Sequence, residues 1–298
     1  MNSSDRRYLF IVNPIAGGGS KDSCMDFLKR TFEKRNIPVH TFETTGKNDF
    51  EQAQKAIDKA QPDTVVAVGG DGTINLVAQL LRNTDLRFGI IPLGSANGMA
   101  VELGIPSNFE DATRVLLYGD TRPLDALLIN ETYLSLHLSD IGLNAKVVKR
   151  FEEEKLRGMG SYIRQFISEL FQLRPNKFSL TLDGRKPFRK KANMIVLANA
   201  TKYGTGIAVN PDGKLDDGYF EICVIKPFIW YQFFPILFSF LAGRVRNSPH
   251  VNIYQCQTAH IINRDEEILQ IDGEVIGNPK TVDVKILPQA YQVIVPAR

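Results

Sequence analysis

Apolar positions along the chain fall into two regimes. Up to about Leu128, short β-branched or apolar runs alternate with stretches of helical spacing, the pattern of a parallel sheet wound by helices. Tyr8–Val12, Val39–Thr44, Thr64–Val68, Phe88–Ile91 and Pro123–Leu128 read as strands, and Asp22–Arg35, Phe50–Ala60, Ile74–Arg82 and Phe109–Tyr118 as helices. Asn36-Ile37-Pro38 and Gln61-Pro62 supply stops. Beyond Leu128, the runs Phe178–Leu182, Ala192–Leu197, Tyr219–Ile225, Thr258–Ile262, Ile268–Ile271, Val282–Ile286 and Tyr291–Val295 follow one another with few helices between, which predicts an antiparallel sheet. Two helices interrupt it, near Phe151–Leu173 and over the aromatic stretch Pro227–Ala242. The expected fold class is therefore α/β, with a parallel-sheet domain over residues 1–128 and a β-rich domain over 129–287.

Composition narrows the class without changing it. The 298 residues are about twice the ~150-residue prior for one domain. With 43% apolar and 23% charged residues, disorder, collagen and coiled coil drop out. A net charge of +3, from 36 basic and 33 acidic residues, is too small to argue for a nucleic-acid partner. Cys24, Cys223 and Cys256 have no CxxC spacing and cannot all pair, so a reduced, cytoplasmic setting is expected. The polar start Met1–Arg7 and the short run after it do not make a signal peptide. Pro227–Ala242 is shorter than the ~20 residues that cross a bilayer. Phe228, Ile229, Trp230, Phe233, Phe234, Leu237, Phe238 and Phe240 invite a membrane-docking reading, while a helix apolar on most of its circumference is more often buried in protein, so burial is the first expectation and docking the second.

In a parallel α/β sheet, ligands bind beyond the carboxyl ends of the strands. Here those ends run into Asn13-Pro14-Ile15-Ala16-Gly17-Gly18-Gly19-Ser20, Gly69-Gly70-Asp71-Gly72-Thr73 and Pro92-Leu93-Gly94-Ser95-Ala96-Asn97-Gly98. A glycine cluster alone marks only a tight turn. Set between an apolar strand and an amphipathic helix, it is a phosphate cradle, because glycine admits close backbone approach and the helix start offers amides and a positive dipole end. Neither the P-loop spacing nor the dinucleotide fingerprint fits, since Asn75 stands where the latter wants a third glycine. Asp71 is the informative residue: a carboxylate about 4 Å from a phosphate charge costs roughly 4 kcal/mol at an effective dielectric near 20. It requires a cation or a proton, and magnesium bridging phosphate oxygens belongs to phosphoryl transfer.

Taken in order, Asn13-Pro14 with the glycines after it, Val68 to Asn75, Ile91 to Asn97, Leu103-Gly104-Ile105-Pro106 and Ile271-Asp272-Gly273-Glu274 resemble the diacylglycerol kinase catalytic family, which includes bacterial lipid kinases and sphingosine kinases. The Gly-Gly-Asp-Gly-Thr element is shared with NAD kinases and phosphofructokinases, and the ordered set is what points to lipid kinases. The resemblance implies an NAD kinase-like nucleotide-binding domain to which residues 288–298 return. It implies ATP contacts from Asn13, Pro14, Thr44, Gly69, Gly70, Asp71, Gly72, Thr73, Asn75, Ser95 and Asn97, with Ser95 keeping the hydroxyl of the family's usual threonine. It also implies a structural magnesium held by the Asp217 carboxylate and the carbonyl oxygens of Lys214 and Tyr219, with Asp125 linked to the metal network. Standing alone, Asp216-Asp217-Gly218 is an ordinary turn signal.

The resemblance places the base for the acceptor hydroxyl at Glu274 or Asp272, and related enzymes suggest Asp71 in that role. If the chain stays extended there, residues two apart face one side and the two carboxylates share a site. The alternative is an Asp-Gly turn in a hairpin. The implied activity is magnesium-dependent transfer of the γ-phosphoryl group of ATP to a lipid hydroxyl, a step of phospholipid biosynthesis. The lipid substrate would be met at a membrane surface, with peripheral contact at its inner face and no nucleic acid, and a homodimer is the implied assembly. One departure stands out: most members carry Asn-Asp where this chain has Asn97-Gly98. Two other readings follow, a kinase of the superfamily with a soluble acceptor such as NAD, and a catalytically impaired nucleotide-binding regulator.

Overall fold

The structure is a computed structural model that describes residues 6–16, 20–153, 174–202 and 208–297. The loop glycines Gly17, Gly18 and Gly19 and most of the helix expected near Phe151–Leu173 lie outside the described residues. The chain divides into two compact units, Met1–Leu124 with Gln289–Arg298, and Asp125–Pro288.

In the first unit, β1 (Tyr8–Val12), α1 (Ser20–Glu33), β2 (Val39–Glu43), α2 (Asp49–Ala60), β3 (Thr64–Gly69), α3 (Asp71–Leu81), β4 (Arg87–Pro92), α4 (Gly98–Glu102) and α5 (Phe109–Tyr118) alternate. The strands pair in parallel in the order β2-β1-β3-β4, with Leu9 opposite His40 and Val65, and Val65 opposite Phe88. β1 and β3 are buried at every position, which is why they read as unbroken apolar runs. Phe32 of α1 meets Tyr8 and Phe10 of β1 edge-on, with ring centroids 4.9 and 5.4 Å away. α5 starts at Asn108, whose side-chain oxygen accepts the N–H groups of Glu110 and Asp111.

The second unit begins along β5 (Asp120–Ile129) and continues through β6 (Tyr133–Ser135), β7 (Leu138–Gly142), α6 (Leu143–Glu153), β8 (Asn176–Leu182), β9 (Phe188–Ala192), β10 (Met194–Ala198), β11 (Phe220–Ile225), α7 (Phe233–Leu241), β12 (Val251–Cys256), β13 (Thr258–Asn263), β14 (Leu269–Ile271), β15 (Glu274–Gly277) and β16 (Thr281–Val295). An antiparallel sheet runs β12-β11-β10-β7-β14-β15. β9, β8, β13 and the start of β16 pair antiparallel in another layer. Ile195, Leu197, Ile222 and Val224 pack with Phe178, Leu180, Ile261 and Val282 in one core. The alternate residues Met194, Val196, Cys223 and Ile225 face a second core capped by Ile236 and Phe240 of α7. Burial of both faces accounts for the apolar runs of β10 and β11. The last residues of β16 belong to the first unit, where Gln292 and Val293 pair in parallel with Arg87 and Phe88.

The aromatic stretch departs from its expected burial. Only one side of α7 is covered, while Phe234 is 63% and Phe238 70% exposed, and Trp230 before the helix is 51% exposed. Leaving a phenylalanine in water forgoes about 1.5–3 kcal/mol relative to burial. The three cysteines are free and buried, and burial raises all three thiol pKa values, Cys24 and Cys256 to about 12.

Candidate functional site

The first unit gathers its candidate residues at the carboxyl edge of its sheet. Asn13 follows β1, its N–H bonded to Val68 O at 3.0 Å and its Oδ1 accepting the Ile15 N–H at 3.1 Å, a turn that holds Pro14. Thr44, just past β2, donates its N–H to Val12 O at 2.9 Å. Leu93 past β4 donates to Gly69 O at 2.8 Å. The segments after β1, β2, β3 and β4 are thus tied to one another by main-chain bonds along a single edge.

Two of these segments meet backbone to backbone. A Cβ on Gly94 would lie 2.5 Å from Gly70 Cα, and one on Gly70 would lie 3.2 Å from Gly94 Cα. A Cβ on Gly69 would strike the Thr73 side chain. Asn97, in a left-handed conformation at φ +50°, closes the second segment by bonding both the N–H and the carbonyl of Gly94 at 2.8 Å. Gly70 precedes α3 in extended conformation and accepts the N–H groups of Thr73 and Ile74. The amides of Asp71 and Gly72, in the first turn, have no intrahelical carbonyl to bind, and Gly72 is exposed. Asn75 lies one turn beyond Asp71 on the same helix face, half-buried, and Ser95 is exposed.

The Asp71 carboxylate is also anchored within the chain. Its Oδ2 accepts the Gly98 N–H at 3.0 Å and its Oδ1 the Met99 N–H at 3.2 Å, so it caps the start of α4 from 27 residues upstream. Two amide donors hold the carboxylate in place.

In the second unit, the Ile271–Glu274 stretch does not stay extended. Asp272 has φ +47° and Gly273 φ +94°, so the chain reverses in a two-residue Asp-Gly turn between β14 and β15. The Asp272 carboxylate accepts the Ser135 hydroxyl at 2.7 Å and the N–H groups of Leu136 at 2.8 Å and His137 at 3.2 Å. Burial raises its pKa above the usual carboxylate range, opposed by the nearby His137 and by these three donors. Glu274 opens β15, exposed and opposite Ile271.

A buried polar chain that the sequence did not announce underlies this turn. The Gly273 N–H donates to Gln270 Oε1 at 2.7 Å, and Gln270 Nε2 and Asn144 Nδ2 both donate to Oδ2 of the fully buried Asp140, at 2.5 and 2.6 Å. Ser139 Oγ donates to Ser135 Oγ at 2.9 Å. The only sequence signal was polar residues inside an apolar run, Ser135, His137, Ser139 and Asp140.

Around the expected metal loop, the N–H of the fully buried Asp125 donates to Leu215 O at 2.7 Å, and its Oδ2 accepts the Gly218 N–H at 2.7 Å. Asp217 Oδ1 accepts the Tyr219 N–H at 3.0 Å. Buried Glu221 bonds Asn210 Nδ2 and Gln255 Nε2 at 2.5 and 3.1 Å, and burial raises its pKa despite these donors. Asn210 Oδ1 is buried without a hydrogen-bond partner among the described residues. Asp217, Asp125 and the loop carbonyls offer oxygen donors only, the ligand type a hard cation takes. Among the described residues, no three His, Cys, Asp or Glu side chains cluster as metal ligands.

Comparison with known proteins places both units. Residues 7–129 match the diacylglycerol kinase catalytic domain, and residues 139–295 match the YegS C-terminal NAD kinase beta sandwich-like domain. The chain is 27% identical over 295 residues to the "Probable lipid kinase YegS-like" protein of Klebsiella pneumoniae (strain 342), spanning 97% of this chain and 95% of that one. It is 27% identical over 278 residues to the diacylglycerol kinase of Bacillus subtilis (strain 168), spanning 91% of each. A crystal structure of a diacylglycerol kinase from Bacillus anthracis str. Sterne superposes with a TM-score of 0.72 at 22% identity over 97% of both chains.

Proposed function

This chain belongs to the diacylglycerol kinase catalytic family, and from that premise we propose that it transfers the γ-phosphoryl group of ATP to the hydroxyl of diacylglycerol or a sphingoid-like lipid, with magnesium as the metal. The observation that carries this reading is the contact of Gly70 with Gly94 beside the anchored Asp71, which leaves backbone and helix-start amides along a rim without side chains. Asn13, Pro14 and Thr44 border that rim, and Ser95 and Asn97 supply polar groups on the second loop. In a loose phosphoryl-transfer transition state, holding the phosphates in line contributes more than proton abstraction.

Asp217, with the carbonyl oxygens of Lys214 and Tyr219 and with Asp125 behind the loop, would hold the magnesium, which supplies positive charge and a rigid loop. The hydroxyl proton goes to a carboxylate as the oxygen–phosphorus bond forms and ADP departs with the bridging oxygen. We assign that role to Glu274, because Asp272 already accepts three hydrogen bonds and serves to fix the turn. ATP consumption by the full chain against diacylglycerol, a sphingoid base and NAD tests this. Turnover with a lipid supports the reading, and turnover with NAD alone defeats it.

A further inference from the structure

We propose that the exposed face formed by Ile229, Trp230, Tyr231, Phe234, Phe238 and Leu241 is an interfacial anchor that seats the second unit on an anionic lipid bilayer. The inference rests on the lipid-kinase reading for its purpose, though not for its physical basis.

Three observations carry it. All six side chains are large, apolar or amphipathic, and exposed, while the opposite side of α7 is spent on the core through Ile236 and Phe240. A contiguous face of this kind on an otherwise packed unit marks an interaction surface. Its composition is that of a membrane interface, with a tryptophan and a tyrosine leading into phenylalanine and leucine.

Charge selects the partner. From Ile222 to Arg264 the chain contains no aspartate or glutamate, while Lys226, Arg244, Arg246 and Arg264 are all cationic. Lys226 stands before the aromatic stretch, its ammonium on Pro249 O at 2.7 Å. Past Leu241, Gly243 turns the chain at φ +64° and exposed Arg244 follows. Arg246 is paired with Asp212 at 2.8 Å and adds less. An apolar face bracketed by cations within an acid-free segment complements anionic headgroups over an acyl layer. Among the described residues, no helix is long and apolar enough to cross a membrane, so the face lies in the interface plane.

Trp230 is the only tryptophan of the chain and reports on the face directly. Its emission is followed in the full chain as unilamellar vesicles of phosphatidylcholine with phosphatidylglycerol, or of phosphatidylcholine alone, are added. The expected result is a blue shift with protection from acrylamide, stronger with phosphatidylglycerol. Replacing both Phe234 and Phe238 by serine lowers vesicle partitioning by roughly tenfold or more without moving the thermal midpoint. Emission unchanged by either vesicle overturns the proposal. So does emission already blue in buffer that turns red on Phe238→Asp as sedimentation shows a dimer dissociating, which would assign the face to a second copy. Transfer from ATP to diacylglycerol in detergent micelles is measured beside it on the unaltered chain. Transfer without vesicle binding defeats the anchor alone, and vesicle binding without transfer to any lipid defeats the kinase reading alone.

Discussion

Asp71 and Gly98 are joined by a 3.0 Å hydrogen bond from the Gly98 amide to the Asp71 carboxylate, and this bond ties the start of α3 to the start of α4. Asp71→Asn removes the charge and leaves one good acceptor for two amides. Bonds to charged groups contribute about 1.5–3 kcal/mol, so the thermal midpoint falls. Phosphoryl transfer falls by on the order of a hundredfold as the two loops lose register.

Gly98→Asp introduces the aspartate that the family resemblance implies at this position, beside a carboxylate already in place. Two such charges about 4 Å apart repel by roughly 4 kcal/mol at an effective dielectric near 20 unless a cation lies between them. The variant is expected to melt below the parent chain in EDTA and to recover most of the difference in magnesium chloride. Thermal melts in the two buffers check this, and equal midpoints contradict it.

Gly94→Ala puts a methyl group 2.5 Å from Gly70 Cα, where only backbone can yield. A cost of about 1–3 kcal/mol is expected from such overpacking. Calorimetry with MgATP should show weakened binding, whereas Gly104→Ala, at a loop position with no atom near the added carbon, should leave MgATP binding intact despite its strained φ of +70°.

Burial raises the folded-state pKa of Asp272 above its ordinary value of 3.8, against the opposing pull of His137 and three donors. The folded state therefore holds this proton longer than the unfolded chain. Its contribution is full below the ordinary value and is lost as pH rises through the folded one. Asp272→Asn lowers the midpoint overall, because an amide offers fewer acceptors to Ser135, Leu136 and His137, but it flattens the midpoint against pH from about pH 4 upward. A slope identical to that of the parent chain contradicts this assignment.

Magnesium is expected to raise the thermal midpoint through the Asp217 loop, by about 2.7 kcal/mol at a hundredfold excess over Kd. Asp217→Ala abolishes the shift if that loop is the binding site. A shift of undiminished size places the ion elsewhere.

The alternation of strands and helices up to Tyr118 was legible because the inner strands β1, β3 and β4 are buried on both faces and the helices between them are amphipathic, while the edge strand β2 stays partly exposed. What escaped depends on distant partners. α4 is five residues long and is capped by Asp71, so no local signal marks it. β7 carries Ser139 and Asp140 in its middle, polar residues that interrupt an apolar run and hydrogen-bond to Ser135, Asn144 and Gln270. The one expected strand at Ala192–Leu197 divides at Asn193 into β9 and β10, and the two expected on either side of Pro288 are one continuous β16. At the candidate site, the glycine loops announced themselves, whereas the donors that occupy Asp71 and Asp272 did not, since both sets come from other segments of the chain.

The measurement that bears most directly on lipid phosphorylation is transfer of label from γ-phosphate-labelled ATP into the organic phase with diacylglycerol, by the parent chain and by Asp71→Asn and Glu274→Gln. Label should enter the lipid with the parent chain and fall on the order of a hundredfold in each variant. Lipid that stays unlabelled by the parent chain, or is labelled equally by all three, would contradict the account.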